Sequence, residues 1–243
     1  MRNPEGESDR QPLRPVFDRR LKLEFHGSQV TSDAGLLAYR ELDDALGLTA
    51  LAGGVLADSR TGRNGWHGVT GLLRQSIYGR LAGYEDVNDA DRLGRDPAMR
   101  WIVGGKAVER GGASTSQMGR FETELLATDG NFAALTDLLG TWIDRVHDRN
   151  PPSLIVVDMD SSVSPTHGEQ EGTAYNGHFG CTCYHPLFVF NQFGDLEPCG
   201  LRPGNVHSAH EWRVVMVPVV ERYKERRIRL YLRGDAAFAS PEI

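Results

Sequence analysis

Hydrophobic residues recur with two different spacings, and the spacing changes at about residue 150. Between Thr31 and Asp148 the apolar positions mostly follow the three- and four-residue spacing of amphipathic helices. Beyond Pro152 they form short runs rich in β-branched side chains, which predict strands. The helical spacing is clearest in "WHGVTGLLRQSIYGRLAG", which places six apolar residues on one face: Trp66, Val69, Leu72, Leu73, Ile77 and Leu81.

This change of pattern predicts three regions. Residues 1–20 are polar, contain Pro and Gly, and predict a disordered leader. Residues 21–150 predict a mostly helical region that opens with a short alternating strand, "LKLEF". Its first helix is expected to have Ser32 as N-cap and to end near Gly47. Residues 151–243 predict a domain of strands and one helix.

The third region predicts the element order strand, strand, strand, helix, strand. The strands are expected in "SLIVVDMD", "CTCYHPLFVFNQFGD", "LEPCGLRPGN" and "IRLYLRGDAAF". Ser208 is the expected N-cap of the helix in "SAHEWRVVMVPVVERYKERR". Short turns favour an antiparallel meander for the first three strands, and the helix provides the crossover that returns a parallel strand to the sheet. The predicted fold class is therefore α/β with a mixed sheet.

Three aspartates stand near the ends of the first and last predicted strands. Asp158 and Asp160 share one face of their strand because side chains alternate between faces. If the two strands are parallel neighbours that end level, Asp160 lies beside Asp235, and such a carboxylate pair favours Mg²⁺ or Mn²⁺. Two such ions about 4 Å apart would promote phosphodiester cleavage. The alternative is that Asp158 and Asp160 cap a turn before Ser161 and Ser162.

Composition and charge restrict the setting of this chemistry. No apolar stretch approaches the ~18 residues of a membrane span, and the N-terminus lacks the apolar segment of a signal peptide. We therefore expect a cytoplasmic protein that does not contact a membrane. The net charge of −6 argues against a protein that coats nucleic acid. Residues 202–233 nevertheless carry eight basic and three acidic side chains, which suits either a DNA-binding face or a solvated helix surface.

The three cysteines leave one unpaired in any disulfide scheme, so reduced thiols are the simpler interpretation. Cys181, Cys183 and His185 fall on one face of a predicted strand, and Cys199 falls on the next. Four such ligands could form a zinc site. Zinc motifs more often space their ligands in turns, and ordinary burial of the thiols is the competing explanation.

Several long blocks of the chain carry a resemblance to a known family. Upstream they are "VTSDAGLLAYREL", "LAGYEDVNDADRLGRDPAMRWIVG" and "STSQMGRFE"; downstream they are "DMDSSVSPTHGEQEGTAYNGHFGCTCYHPLFVF", "LRPGN" and "LRGDAAF". From about residue 20 onward the sequence resembles the DDE transposases of bacterial insertion sequences, in the branch called DDE group 1. The resemblance implies a ribonuclease H-like catalytic domain that cleaves DNA strands and transfers them with two Mg²⁺ or Mn²⁺ ions. It also implies transposon ends and target DNA as partners, a homodimer on DNA, and a helical region for DNA-end recognition or dimerisation.

The resemblance assigns roles to the three aspartates. Asp160 in "DMDSS" matches the first catalytic aspartate and Asp235 in "RGDAAF" matches the second, and both would be metal ligands. Asp158 is either an accessory acid on the same face or itself the first catalytic aspartate in a shifted register. We favour Asp160 because an aspartate directly before a Ser/Thr pair is the usual form in related transposases.

Three further residues are candidates for contacts with DNA. His167 follows the first carboxylate closely, but a loop histidine without a catalytic part is an equal alternative. Arg202 in "LRPGN" and Arg233 are placed to contact phosphates or to balance the acidic cluster. For Arg233, which is two residues before Asp235, balancing the acids is the preferred interpretation.

The sequence departs from the family at the third metal ligand, which is a glutamate on a later helix. After Asp235 the only acid is Glu242, and the sequence leaves no room for a helix before it. We therefore expect a truncated copy of a transposase that lacks the catalytic glutamate, so that its activity as an enzyme is uncertain. The alternatives are a catalytically dead remnant that still binds DNA, or a zinc-stabilised binding module.

Overall fold

The computed structural model describes residues 14–23 and 30–239 of the chain. The chain divides between Ala134 and Leu135 into two compact units. Within the described residues there is no helix that is both long and apolar enough to cross a lipid bilayer. The predicted leader and the predicted strand "LKLEF" lie partly outside the described residues, and Glu242 lies wholly outside them.

The first unit is built of helices. They are α1 (Leu36–Leu46), α2 (Leu48–Val55), α3 (Val69–Leu81), α4 (Ala90–Leu93), α5 (Pro97–Val103), α6 (Ala107–Arg110) and α7 (Thr115–Arg120). A π-helical segment, Phe121–Leu125, follows α7, and α8 (Asp129–His147) crosses the division between the units. The helices surround an apolar core in which Met99 and Ile102 are fully buried. The helical character predicted from the apolar spacing is confirmed.

The first helix begins later than its predicted cap. Residues before it form a turn in which the Leu36 amide donates to the Asp33 carbonyl, 3.0 Å away. The Ser32 hydroxyl donates to the Asp33 carboxylate at 3.1 Å and caps no helix, so α1 follows Gly35. The predicted end is confirmed, because Gly47 has φ +81° and its amide donates to the Asp43 carbonyl.

The second unit is mixed α/β. After α8 its elements are β1 (Leu154–Ser161), β2 (Ser164–Pro165), β3 (Ala174–Asn176), β4 (Cys181–Tyr184), β5 (Leu187–Asn191), α9 (Trp212–Glu225) and β6 (Arg229–Gly234). A three-stranded sheet has the order β5-β1-β6, antiparallel between β5 and β1 and parallel between β1 and β6. A smaller antiparallel sheet has the order β2-β4-β3. The helix α9 is the crossover that precedes the parallel strand.

One face of the three-stranded sheet forms the core of this unit. Burial alternates along β1, and Ile155, Val157 and Met159 are its buried residues. They belong to one apolar cluster with residues of α9, including Met216 and Tyr223. Because a single helix covers one face, the residues between the buried ones are left on the opposite face of β1.

Two predicted strands take a different form. The segment "CTCYHPLFVFNQFGD" divides at His185–Pro186 into β4 and β5, which belong to different sheets. Proline has no N–H to donate to a strand ladder, so the chain changes partners there. The segment "LEPCGLRPGN" contains Pro198 and Pro203 and is interrupted for the same reason. It forms isolated bridges in place of a strand, namely Leu196 with Phe190, Gly200 with Leu187 and Pro203 with Tyr184.

The crossover helix also starts later than predicted. It begins at Trp212, and the preceding Glu211 has a left-handed backbone with φ +54°. Ser208 is therefore not the N-cap of α9. Its carbonyl instead accepts a hydrogen bond from the Arg202 guanidinium at 2.8 Å, so the segment before α9 is fixed by an arginine from the preceding loop.

Candidate active site

The parallel pairing of β1 and β6 determines where the predicted aspartates lie. In this pairing Asp158 is opposite Arg233 and Met159 is opposite Gly234. Asp160 and Asp235 are the next residues on the two strands, so each directly follows the last pair of this register. Both residues are exposed. The parallel register agrees with the strand arrangement on which the predicted pair depends, and the pairing of the two carboxylates stays a prediction.

Strand alternation explains how an apolar run can carry two acids. Asp158 and Asp160 occupy the face of β1 opposite to Val157 and Met159, which are buried. The desolvation that makes charge costly in a core acts on the buried face only. The carboxylates are thus placed beside a hydrophobic core without being inside it.

Asp158 is occupied by a direct cross-strand ion pair. The Arg233 Nε lies 2.7 Å from Asp158 Oδ1, and its Nη2 lies 2.6 Å from Oδ2. This two-point geometry matches the planar guanidinium to the planar carboxylate. The contact with Asp158 raises the pKa of Arg233 above its usual range. Since both carboxylate oxygens of Asp158 are engaged, Asp158 and Asp160 differ in their availability to a ligand although they share a face.

Asp160 and Asp235 each use one oxygen on a nearby backbone amide. The Ser161 amide donates to Asp160 Oδ1 and the Ala237 amide donates to Asp235 Oδ1, both at 2.8 Å. Asp235 thereby caps a short 3₁₀-helix, Ala236–Phe238. The second oxygen of each carboxylate has no hydrogen-bond partner among the described residues. Of the two acids in the turn-capping alternative, Asp158 is paired with Arg233 and Asp160 accepts only from the adjacent Ser161 amide, which still belongs to β1. One oxygen of Asp160 and one of Asp235 are left available.

This pair has the donor chemistry of a hard divalent cation, because it offers carboxylate oxygens at an exposed edge. Within the described part of the chain, no group of three or more His, Cys, Asp or Glu side chains is arranged to hold a metal ion. Asp160 and Asp235 could therefore supply two protein ligands, and the remaining positions would be filled by water or substrate oxygens.

The predicted zinc ligands are not brought together in the described residues. Cys183 is fully buried, whereas Cys199 is exposed. His185 is also buried, and its Nδ1 lies 3.0 Å from the Val206 carbonyl. The burial of Cys183 in the smaller sheet and of His185 just after it matches the burial explanation, whereas Cys199 is exposed.

The three predicted DNA contacts have different surroundings. His167 is exposed in the loop between β2 and β3. Arg233 is exposed but paired with Asp158. Arg202 is buried: its Nε donates to the His185 carbonyl at 2.9 Å, and its Nη1 donates to carbonyls of the segment before α9. Burial lowers the pKa of Arg202, and the side chain serves to join loops. We therefore assign Arg202 a structural role in place of the predicted contact with DNA.

A buried ionic cluster beside the sheet was not anticipated from the sequence. Glu197 is fully buried and accepts hydrogen bonds from the Tyr223 hydroxyl at 2.6 Å and from Arg222 Nη2 at 2.5 Å. Burial, and then the bond to Glu197, raise the pKa of Tyr223 well above its usual range. Gly140 on α8 allows this approach, because a Cβ there would lie 2.2 Å from Arg222 Nη1. We call Glu197, Arg222 and Tyr223 the buried cluster.

Residues 202–233 were predicted to form a DNA-binding or solvated basic face. Some of their positive charges are paired with carboxylates of the same unit. At least four of its eight basic residues have polar partners, among them Arg202, Arg222, Arg226 and Arg233. Arg226, for example, lies 2.6 Å from Asp148. A count of charges along the sequence therefore overstates the positive charge that residues 202–233 present to a ligand.

Parallel strands that end in paired carboxylates form the kind of edge at which enzymes of phosphoryl transfer hold divalent cations. The chain belongs to the transposase DDE domain group 1 family, whose sequence model matches residues 13–243. No curated protein matches the chain, and no solved structure matches it either. Membership makes the chain a transposase domain and implies DNA as its substrate. Transposases of this class generally use divalent metal ions.

Proposed function

We propose that the chain is the transposase of an insertion sequence, which cleaves DNA strands and transfers them with Asp160 and Asp235 as catalytic residues. The single observation that supports this proposal is the parallel register of β1 and β6, because Asp160 and Asp235 are the next residues after its last pair. A ribonuclease H-like arrangement of the second unit accounts for the mixed sheet and for the crossover helix α9.

In this proposal Asp160 and Asp235 hold Mg²⁺ or Mn²⁺ through the oxygens that make no hydrogen bond in the described structure. When bound there, such ions would supply Lewis-acid chemistry for the attacking hydroxyl and the leaving oxygen. The protein contributes position: the rigid strand pair fixes both carboxylates, and the backbone amides of Ser161 and Ala237 orient them. Asp158 takes no direct part, because Arg233 engages both of its oxygens.

We further propose that the helical region recognises transposon ends or supports a homodimer on DNA, and that the protein acts in the cytoplasm. Residues 21–150 would serve this role and residues 151–243 would carry the chemistry. The division between Ala134 and Leu135 falls inside α8, so the first part of this helix is in the first unit and the remainder is in the second.

A second candidate is a DNA-binding protein without strand cleavage. The observation that favours it is the lack, within the described residues, of a third ligand beside the two aspartates. Two ligands hold a divalent ion less tightly and less precisely than three. This candidate predicts salt-sensitive DNA binding that persists when divalent ions are removed.

Substitution of the first aspartate distinguishes the two candidates. Asp160→Ala should abolish Mg²⁺-dependent nicking of a DNA duplex that carries transposon ends, and chelation of divalent ions should have the same effect. Asp158→Asn is the matched control, because it removes one negative charge from the same strand face and leaves the catalytic pair intact. Nicking that survives in Asp160→Ala would refute the assignment. DNA binding by the native protein without any nicking would support the second candidate.

A further inference from the structure

Aromatic side chains border the aspartates on the face of the three-stranded sheet that α9 does not cover. Burial alternates along β5, so Phe188 and Phe190 lie on this open face. In the antiparallel register Phe190 is opposite Asp158 and Phe188 is opposite Asp160. Side chains directly opposite each other have Cβ atoms about 5 Å apart, so each phenylalanine is the neighbour of one acid.

The two phenylalanine rings are adjacent and accessible. Their centres are 6.0 Å apart, with an angle of 32° between the ring planes. Phe190 is 38% exposed and Phe188 is half-buried. Tyr231 of β6 lies on the same face, since it is opposite Val156, and is 52% exposed. The apolar core of the unit forms beneath α9 on the other face, so packing of that core does not account for the aromatic rings here.

The charges beside the rings suit a nucleic acid strand better than the number of acids indicates. Asp158, the neighbour of Phe190, is neutralised by its two-point pair with Arg233. Arg229 is exposed on the same face, opposite Leu154. Guanidinium groups are planar, and they stack on nucleobases as well as attract phosphates. Next to the rings the face therefore offers planar cations, and the acid in that row carries no uncompensated charge.

Exposed aromatic rings beside arginines have the composition of surfaces that bind unpaired nucleobases. Family membership implies DNA as the substrate. Asp160 and Phe190 are diagonal neighbours across β1 and β5, about 7–8 Å apart. A base and the phosphate of its own nucleotide can span such a separation, so a base on Phe190 would belong to the nucleotide at Asp160 or to the next one. A paired base is covered on both faces by its neighbours in the duplex, so only an unpaired base can stack on the ring.

We propose that Phe188 and Phe190 stack an unpaired base of the DNA strand that is held at Asp160, so that the preferred substrate has unpaired nucleotides beside the reacting phosphate. This role rests on the proposed function, which places a DNA strand at the adjoining carboxylates. It adds a preference among DNA substrates that the carboxylates alone do not supply. The two phenylalanines bind the substrate and take no part in holding a metal ion.

The test is a titration of a short DNA duplex with the full chain in the absence of divalent ions. The duplex has a single-stranded overhang that contains the fluorescent base 2-aminopurine, whose emission falls when it stacks on an aromatic ring. Phe190→Leu should weaken binding of this probe about fivefold or more, because it removes the stacking surface, and Phe190→Trp should retain the binding. Phe193→Leu is the matched control: its ring is 61% exposed in the turn after β5 and contacts His147 of α8.

The outcomes separate this role from the proposed catalysis. Equal affinities of the native chain and Phe190→Leu would overturn it, and so would equal affinities for the overhang probe and a fully paired duplex of the same length. Phe188→Leu supplies a second loss of a ring if Phe190→Leu destabilises the fold. Nicking that depends on Asp160 while Phe190→Leu binds normally would leave the catalysis standing and refute the stacking. Probe binding that depends on Phe190 in a chain that nicks no DNA would do the reverse.

Discussion

Asp160 and Glu197 are acids of the same α/β unit with opposite surroundings. Asp160 is exposed at the end of β1, and the described residues give it one local backbone amide as a hydrogen-bond donor. Glu197 is fully buried and is bound by a tyrosine hydroxyl and by a guanidinium. One carboxylate oxygen of Asp160 is therefore available to a ligand, whereas both carboxylate oxygens of Glu197 already accept hydrogen bonds.

The difference shows that charge in this unit serves two purposes. A buried carboxylate must be paired and hydrogen-bonded, so the loss of one partner of the buried cluster leaves the other buried without its nearest counter-charge. An exposed carboxylate at a strand end has little effect on folding and remains free for chemistry. The comparison predicts that variants of the buried cluster change stability, while variants of the sheet edge change ligand binding.

The largest effect is expected in the buried cluster. Glu197→Gln leaves the Arg222 guanidinium without its closest counter-ion, and should lower the free energy of unfolding by about 3 kcal/mol. Chemical denaturation followed by circular dichroism measures this change. Asp160→Asn is the control and should alter stability by less than about 0.5 kcal/mol. Equal stability losses in the two variants would contradict the division of roles.

A smaller effect is expected from the tyrosine of the same cluster. Tyr223→Phe removes the hydroxyl that donates to Glu197 and should cost about 1 kcal/mol. The exposed Tyr231→Phe is the matched control and should be nearly neutral. A loss in Tyr231→Phe as large as that in Tyr223→Phe would show that the buried hydrogen bond is not the cause.

The buried tyrosines also predict a loss of stability in alkali. The folded-state pKa values of both Tyr78 and Tyr223 are raised above the usual 10.0, that of Tyr78 to about 12, mainly by burial. Above pH 10 the unfolded chain releases protons that the folded chain retains, so stability falls as the pH rises. Tyrosinate absorbance should show two tyrosines that ionise only with unfolding. Ionisation of every tyrosine before unfolding would contradict this expectation.

The paired aspartates could be predicted from the sequence because they depend on regular geometry. Alternation along a strand sets Asp158 and Asp160 on one face, and a crossover helix between two strands favours their parallel pairing. In the structure β1 and β6 are parallel neighbours, and Asp160 and Asp235 are the next residues after the last pair of their register. The end of α1 at Gly47 was predictable for a similar reason, since it depends on one residue with a left-handed backbone.

The remaining features depend on contacts between distant residues. The pairing of Glu197 with Arg222 joins positions 25 residues apart, and no local pattern marks Glu197 as buried. Arg202 was predicted as a DNA contact because a sequence shows charge without showing burial. Pro186 is a local signal that was present in the sequence, and it ends β4 where a single strand was predicted.

The smallest effect is expected at the pair formed by Asp158 and Arg233. Arg233→Gln removes the guanidinium and frees both oxygens of Asp158 on the face that carries Asp160. The added negative charge should tighten Mn²⁺ binding a few-fold, without a measurable change in stability, because the pair is exposed. The double variant Asp158→Asn with Arg233→Gln should return the affinity to that of the native chain. Calorimetric titration with Mn²⁺ measures all three proteins. An Mn²⁺ affinity that is unchanged in Arg233→Gln would show that the ion binds away from this edge.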